Sequence, residues 1–324
     1  MAANVIIYWS SVPPPPILKS MWVTLLYLLA AAFCLSPWAT PGLALALGIA
    51  LALAVGNPFA RRTRPAARLL LQVSVVLLGF GMDLGAVARA GERGLGLALL
   101  TISGTFLLAA ALARWLRIPG RLATLIAAGT AICGGSAIAA VSAVVEAPEA
   151  EMSLAMGVVF LLNAVALYLF PRLGHHLALT QVQFGTWAGM AIHDISSVVG
   201  AASEYGLVAL QTATAVKLSR ALWIVPVAII AGWKTGSRAK VQVPWFIALF
   251  LLASLARTLV APLAALGPWL SRLAVLGFTF TLFLIGAGLS RHTLRSLGVR
   301  PLLLALLLWL AIGAGALAAV QLLR

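Results

Sequence analysis

The chain has 324 residues, of which 63% are hydrophobic and only 9% charged, and its mean hydropathy is +1.08. That is too little polar side-chain surface to cover a soluble globule of this size, so the composition describes an integral membrane protein. A formal net charge of +15 would suggest nucleic acid for a soluble domain, but the basic residues fall mainly between apolar runs, as orientation in a membrane requires, and nucleic acid is excluded as a partner.

Residues 1–20 contain Pro13 to Pro16 and a single charge, Lys19, and read as an exposed N-terminal arm. Residues 21–324 read as one transmembrane domain. Met21 to Ser36 is the first apolar run, taken as an uncleaved span rather than a signal peptide. Further apolar runs cover 42–56, 67–86, 94–116, 121–145, 151–170, 183–203, 207–232, 243–261, 270–290 and 300–322, most of them near the ~20 residues of a spanning helix. The expected fold is an all-α polytopic membrane protein with about ten to eleven membrane segments. Arg61 to Arg64, Arg114 to Arg121, Lys234 to Lys240 and Arg291 to Arg300 mark cytoplasmic ends and place the N-terminus inside. Cys34 and Cys133 have neither metal-ligand nor disulfide spacing and read as packing residues, so neither a metal nor a cofactor is expected.

Gly129 to Ser142 reads GTAICGGSAIAAVS, and the adjacent Gly134 and Gly135 at its centre each cost a helix about 1 kcal/mol relative to alanine. The segment therefore reads as a broken helix. Sixty residues on, Gly189 to Ser196 reads GMAIHDIS and matches at Gly129/Gly189, Ala131/Ala191, Ile132/Ile192 and Ser136/Ser196. In the second copy His193 and Asp194 stand where the first has Cys133 and Gly134. The two breaks should share geometry and differ in chemistry.

A second echo aligns Leu77 to Gly91 with Leu284 to Gly298 through Leu77/Leu284, Gly79/Gly286, Gly81/Gly288 and Gly91/Gly298. Together the echoes predict two structural repeats, with related elements in 42–170 and 183–322, in permuted order. If the broken segments cross the membrane, the spans that follow them run parallel. If they are re-entrant hairpins entering from opposite sides, every repeated element is inverted. Hairpins are the expectation, although crossing places the loop Glu146 to Glu151 slightly better for charge.

GTAICGGSAIAA, then HDISSVVGA, then KLSR, in this order from about residue 40 to the C-terminus, resembles the YeiH-type sulfate exporter family of bacterial inner-membrane proteins. The resemblance implies a multi-spanning secondary transporter of the inner membrane, related to bile-acid symporters and cation antiporters. Its implied substrate is an inorganic or organosulfur anion such as sulfate.

The residues argue for a site on their own. A helix restarting after Gly135 presents free N–H groups and a positive dipole end, with Ser136 as cap or hydroxyl donor; packing of small residues is the alternative. Lys217 and Arg220 lie deep inside an apolar run, where a cation costs about 2.5–3.5 kcal/mol. Their spacing of three puts both on one side of a helix, with Gln211 and Thr214 continuing the Lys217 face. They read as anion ligands, against a structural pairing with Asp194 or snorkelling. Asp194 can cap the following half-helix, pair with Lys217 or carry a coupling proton; His193 is a second coupling candidate, and Asn163 is within reach of either break. Ser196 and Ser197 complete the second motif as substrate-binding candidates. Asp83, near Arg89, reads as a local ion-pair or interface residue.

The expected function is thus a secondary transporter, an exporter by resemblance, that holds a small anion near the midplane between two broken helices. Its partners are the bilayer, the anion and a coupling proton or sodium ion, and a homodimer is left open. A cation/proton antiporter through Asp194 and an anion channel are the alternatives. An intramembrane hydrolase built on Ser196 and His193 is the remote one, so no catalytic residue is assigned.

Overall fold

The structure, a computed structural model, describes residues 17–235, 244–289, 291 and 297–322. The described residues are helical with no strand. The helices are α1 Ile17–Cys34, α2 Pro41–Val55, α3 Ala60–Gly79, α4 Leu84–Leu116, α5 Gly120–Ala128, α6 Gly135–Val144, α7 Glu149–His176, α8 Gln181–Ala191, α9 Ile195–Tyr205, α10 Leu207–Ala221, α11 Ile224–Thr235, α12 Trp245–Leu259, α13 Ala261–Ala287 and α14 Val299–Leu322. Helix α1 begins inside the expected 1–20 arm, whose first sixteen residues lie outside the described residues, as do most of the basic stretch 234–240 and Arg295. Among the described residues, five stretches are long and apolar enough to span a membrane: Ala98–Leu116, Glu149–His176, Leu207–Trp233, Ala265–Ala287 and Val299–Leu322.

Two groups of helices form. In one, α13 packs along α2 and α3, and α12 along α3, with α1 on the outside; in the other, α4 to α11 and α14 surround the two broken segments. The groups meet chiefly where α9 lies against α13. Close crossing within the first group depends on glycine. A Cβ on Gly286 of α13 would stand 2.5 Å from the Leu45 carbonyl of α2, so any larger residue there forces the two backbones apart.

The broken segments are hairpins. Tyr205 at the end of α9 donates its hydroxyl to the Leu179 carbonyl, 2.6 Å away and just before α8, and its ring stacks on Phe184 at 3.8 Å. Gln181 Oε1 accepts from the Val208 N–H at 2.9 Å. The chain therefore leaves α9 at the end of the molecule where it entered α8. In the first segment a Cβ on Gly129 would lie 2.7 Å from Ile138 Cδ1; nine residues of straight helix would separate the two by about 13.5 Å, so α6 folds back along the α5 arm.

The hairpins open at opposite ends. Helix α7, whose 28 residues reach about 42 Å, follows α6 at its N-terminus and leads into α8 at its C-terminus. Tyr168 near its C-terminus donates to the Gly42 carbonyl at the start of α2 at 2.6 Å. The other end of α2 belongs to the opposite face, where Asn57 donates to the Ala287 carbonyl at the close of α13 at 2.9 Å. In a background lacking Cys34 and Cys133, cysteines at Gly120 and Ala150 should therefore react with an impermeant maleimide from one side of the membrane and a cysteine at Thr180 from the other. Reaction of Gly120 and Ala150 variants from different sides would show that the first segment crosses.

Candidate functional site

Each hairpin turns at a different kind of tip. In the first, α5 runs into a single π turn, Gly129–Cys133, ended by Gly134 at φ 67°, ψ −129°. The wider turn lets the Gly134 N–H donate to the Gly129 carbonyl five residues back at 2.8 Å. Gly134 has no side chain to cap α6, and that helix starts without a side-chain cap; Ser136 in its first turn is exposed. In the second, α8 stops at Ala191 and Asp194 caps α9. Asp194 Oδ1 accepts from the Ser197 N–H at 3.2 Å and Oδ2 from the Ser196 hydroxyl at 2.6 Å. Asn163, midway along α7, accepts from the His193 N–H at 3.0 Å and fixes this tip at the depth of the α7 midpoint. The tips touch, because a Cβ on Gly134 would lie 3.1 Å from the Asp194 Cβ.

Helix α10 carries two cations into this meeting point. Lys217 and Arg220 are both fully buried. Lys217 Nζ donates to the Ile192 carbonyl at 2.5 Å, at the end of α8. Arg220 donates to the Ala131 carbonyl in the π turn and to Thr101 Oγ1 of α4, the latter at 2.8 Å. Each cation thus faces the C-terminal, negative end of one inbound hairpin arm, where a positive charge is favoured. The Lys217 ammonium goes to a backbone carbonyl, while the Asp194 carboxylate is occupied by Ser196 and Ser197, so the structural Lys217–Asp194 pair weighed from the sequence is not made.

Several buried polar atoms at the tips have no hydrogen-bond partner: Thr130 Oγ1, Asn163 Nδ2, both ring nitrogens of His193 and Arg220 Nε. Folded proteins rarely leave such atoms unmatched. The Asn163 amide nitrogen and Arg220 Nε can only donate; the Asn163 orientation follows from its oxygen accepting from His193. The tips therefore hold a surplus of donors and of positive charge, which is what an anion requires.

The sequence-predicted residues divide accordingly. Gly134, Gly135, Ser136, His193, Asp194, Lys217 and Arg220 come together at or beside the tips. Ser196 and Ser197 are there too, but the Ser196 hydroxyl and the Ser197 N–H are taken by the Asp194 cap. Gln211 does not join Lys217: its amide donates to the Gly81 carbonyl at 3.2 Å, toward the end of the molecule where α4 begins. The Thr214 hydroxyl turns back on the Leu210 carbonyl at 2.7 Å. Asp83 caps α4 through the Ala86 N–H at 3.1 Å. Cys133, read as packing, is buried at the first tip, among Lys217, Arg220 and Asp194. Thr101 and Thr130 carry no sequence signal, being single hydroxyls inside apolar helices.

A family model described as conserved hypothetical protein 698 matches residues 16–305. The chain is 46% identical over 299 residues to a UPF0324 membrane protein of Bdellovibrio bacteriovorus, covering 90% of this chain and 92% of that protein. It is 47% identical over 315 residues to a UPF0324 membrane protein of Porphyromonas gingivalis, covering 95% and 96%. A third UPF0324 membrane protein, from Geobacter sulfurreducens, is 44% identical over 291 residues, covering 90% and 94%. No solved structure matches the chain. With membrane-capable helices, and with relatives named as membrane proteins along nearly their whole length, the chain belongs to the conserved hypothetical protein 698 family of UPF0324 membrane proteins.

Proposed function

We propose that this protein is a secondary transporter of the bacterial inner membrane that binds a small inorganic or organosulfur anion between the two hairpin tips. The observation that carries the reading is the concentration of positive charge and open donors at that point. Lys217 and Arg220 are wholly buried, and Arg220 Nε and Asn163 Nδ2 lie buried beside them without acceptors. A cation at membrane depth costs about 2.5–3.5 kcal/mol and is retained where it serves a pathway. Two such cations against one carboxylate favour an anion over the cation of a cation/proton antiporter.

The architecture supports transport. Gly79 of α3 packs on the Phe250 carbonyl of α12, and its echo Gly286 of α13 packs on the Leu45 carbonyl of α2. Pairing α2 with α12, α3 with α13, α4 with α14, the first hairpin with the second, and α7 with α10–α11 makes these two crossings equivalent. The result is a permuted inverted repeat, an arrangement from which many transporters are built. Arg61, Arg114, Arg121 and Arg291 gather at the end where the first hairpin opens, which makes that end cytoplasmic. Export direction and kinship with bile-acid symporters and cation antiporters rest on the YeiH-type resemblance.

A hydrolase is disfavoured because the Ser196 hydroxyl donates to Asp194 at 2.6 Å, away from the His193 ring, whose nitrogens have no partner. Asp194, which caps α9, and His193 are the two coupling candidates. Counterflow in proteoliposomes tests the reading. Vesicles loaded with unlabelled sulfate, thiosulfate or taurine and diluted into the same radiolabelled anion should accumulate label transiently for at least one of them. Flux insensitive to the internal anion would identify a channel instead.

A further inference from the structure

At the end of the molecule where the second hairpin opens, a cavity of about 260 Å³ lies between the first two turns of α4, α8 and α10. Its walls include Ala86 and Arg89 of α4, Thr186 of α8, and Val208, Gln211 and Thr212 of α10. Among the described residues, the charge in these walls is that of Arg89, which is exposed. Asp83 lies nearby but is committed elsewhere: its carboxylate accepts from the Ala86 N–H at 3.1 Å and from the Thr258 hydroxyl of α12 at 3.3 Å. All three helices begin at this end, so three positive dipole ends add to the Arg89 charge. A cleft of one sign between low-dielectric walls concentrates ions of the other.

The cavity lies above the tips. Gln211, Thr214 and Lys217 share one face of α10 at spacings of three, and Lys217 stands six residues, about 9 Å, beyond Gln211. The Gln211 amide gives one hydrogen to the Gly81 carbonyl at 3.2 Å and keeps a second. Helix α8 is closed against α10, because a Cβ on Gly185 would stand 2.7 Å from the Ala209 carbonyl and one on Gly189 2.8 Å from the Ala213 carbonyl. The way inward from the cavity therefore runs on the α4 side of α10, toward the helix that gives Thr101 to Arg220.

We propose that this cavity is the outer vestibule of the anion path, where Arg89 gathers a small anion between the outside and Lys217. The proposal rests on the anion-site reading of the tips and adds to it a second, outer station.

The test is cysteine labelling of the full-length chain lacking Cys34 and Cys133, with Ala86→Cys on one wall and Val208→Cys on another. Anionic 2-sulfonatoethyl methanethiosulfonate and its cationic trimethylammonium counterpart are added to spheroplasts, which expose only the outer face, and each rate is normalised to that of a free thiol in solution. The anionic reagent should react about tenfold faster than the cationic one at both positions, and Arg89→Gln should bring that ratio to about one. Counterflow by the sulfonate-modified protein, purified and reconstituted, should fall to background. Labelling in phosphatidylcholine vesicles with and without phosphatidylglycerol separates a dissolved anion from a lipid head group. The same ratio is expected in both, and a ratio lost only with the anionic lipid overturns the vestibule in favour of a lipid site. Equal rates for the two reagents, an unchanged ratio in Arg89→Gln, or full counterflow after complete modification overturns the vestibule and leaves the tip site standing. Absence of counterflow in the unmodified protein overturns the transport reading, and the vestibule with it.

Discussion

Lys217→Met should yield a protein that inserts, folds and no longer responds to anion. The substitution removes a charge-assisted hydrogen bond to the Ile192 carbonyl, worth about 1.5–3 kcal/mol. It also removes a cation from membrane depth, which returns about 2.5–3.5 kcal/mol. These terms nearly cancel, so the ligand-free melting temperature should move by only a few degrees while anion-dependent stabilisation disappears. Because Lys217 and Arg220 serve different hairpins, loss of one cannot be covered by the other. An unchanged anion affinity in folded Lys217→Met would remove Lys217 from the site.

The second large effect separates two neighbouring glycines. Gly134→Ala places a Cβ at φ 67°, ψ −129°, outside the regions an L-residue adopts, at a cost of about 1–3 kcal/mol. That Cβ also presses on Asp194 Cβ at 3.1 Å, so the substitution strains the contact between the tips as well as the turn. Gly135→Ala adds a Cβ at the first residue of α6, 3.0 Å from the end of the Phe160 ring, which can tilt away, and alanine is the better helix former. Thermal unfolding should show Gly134→Ala strongly destabilised and Gly135→Ala near the unmodified protein. Equal behaviour of the pair would mean that the tips do not meet as described.

That contrast shows how far the sequence could be read. Two adjacent glycines announce a break, but the pattern does not say which of them turns the chain, because that depends on where Asp194 lies sixty residues away. The Asp194 cap was legible, being a local arrangement of Asp194, Ser196 and Ser197. The burial of Lys217 and Arg220 was legible from their depth in an apolar run. Their division between two hairpins was not: a spacing of three fixes a shared helix face, whereas long side chains reach partners on different elements. Gln211 continues the Lys217 face, and that face leads toward Gly81 and away from the tips. Hairpin return was the expectation, from the repeat pattern and against a loop charge that weighed slightly toward crossing, whereas the contacts that hold it, Tyr205 with Leu179 and Gly129 with Ile138, are tertiary.

Asn163 gives a smaller, local check. It is 2% exposed, and its oxygen is the acceptor for the His193 N–H, so Asn163→Leu orphans a buried donor at a cost of about 1–3 kcal/mol. A lower melting temperature with weakened anion binding is expected, and retention of both would separate α7 from the site.

The central claim, an anion held between the tips, is tested most directly by anomalous diffraction from crystals grown in bromide, a singly charged ion visible by its own scattering. The account predicts a bromide peak between the two hairpin tips, beside Lys217 and Arg220, and its loss in Lys217→Met crystals. Bromide confined to surface basic residues such as Arg61 and Arg62, with the tips closed around a Lys217–Asp194 ion pair, would contradict it.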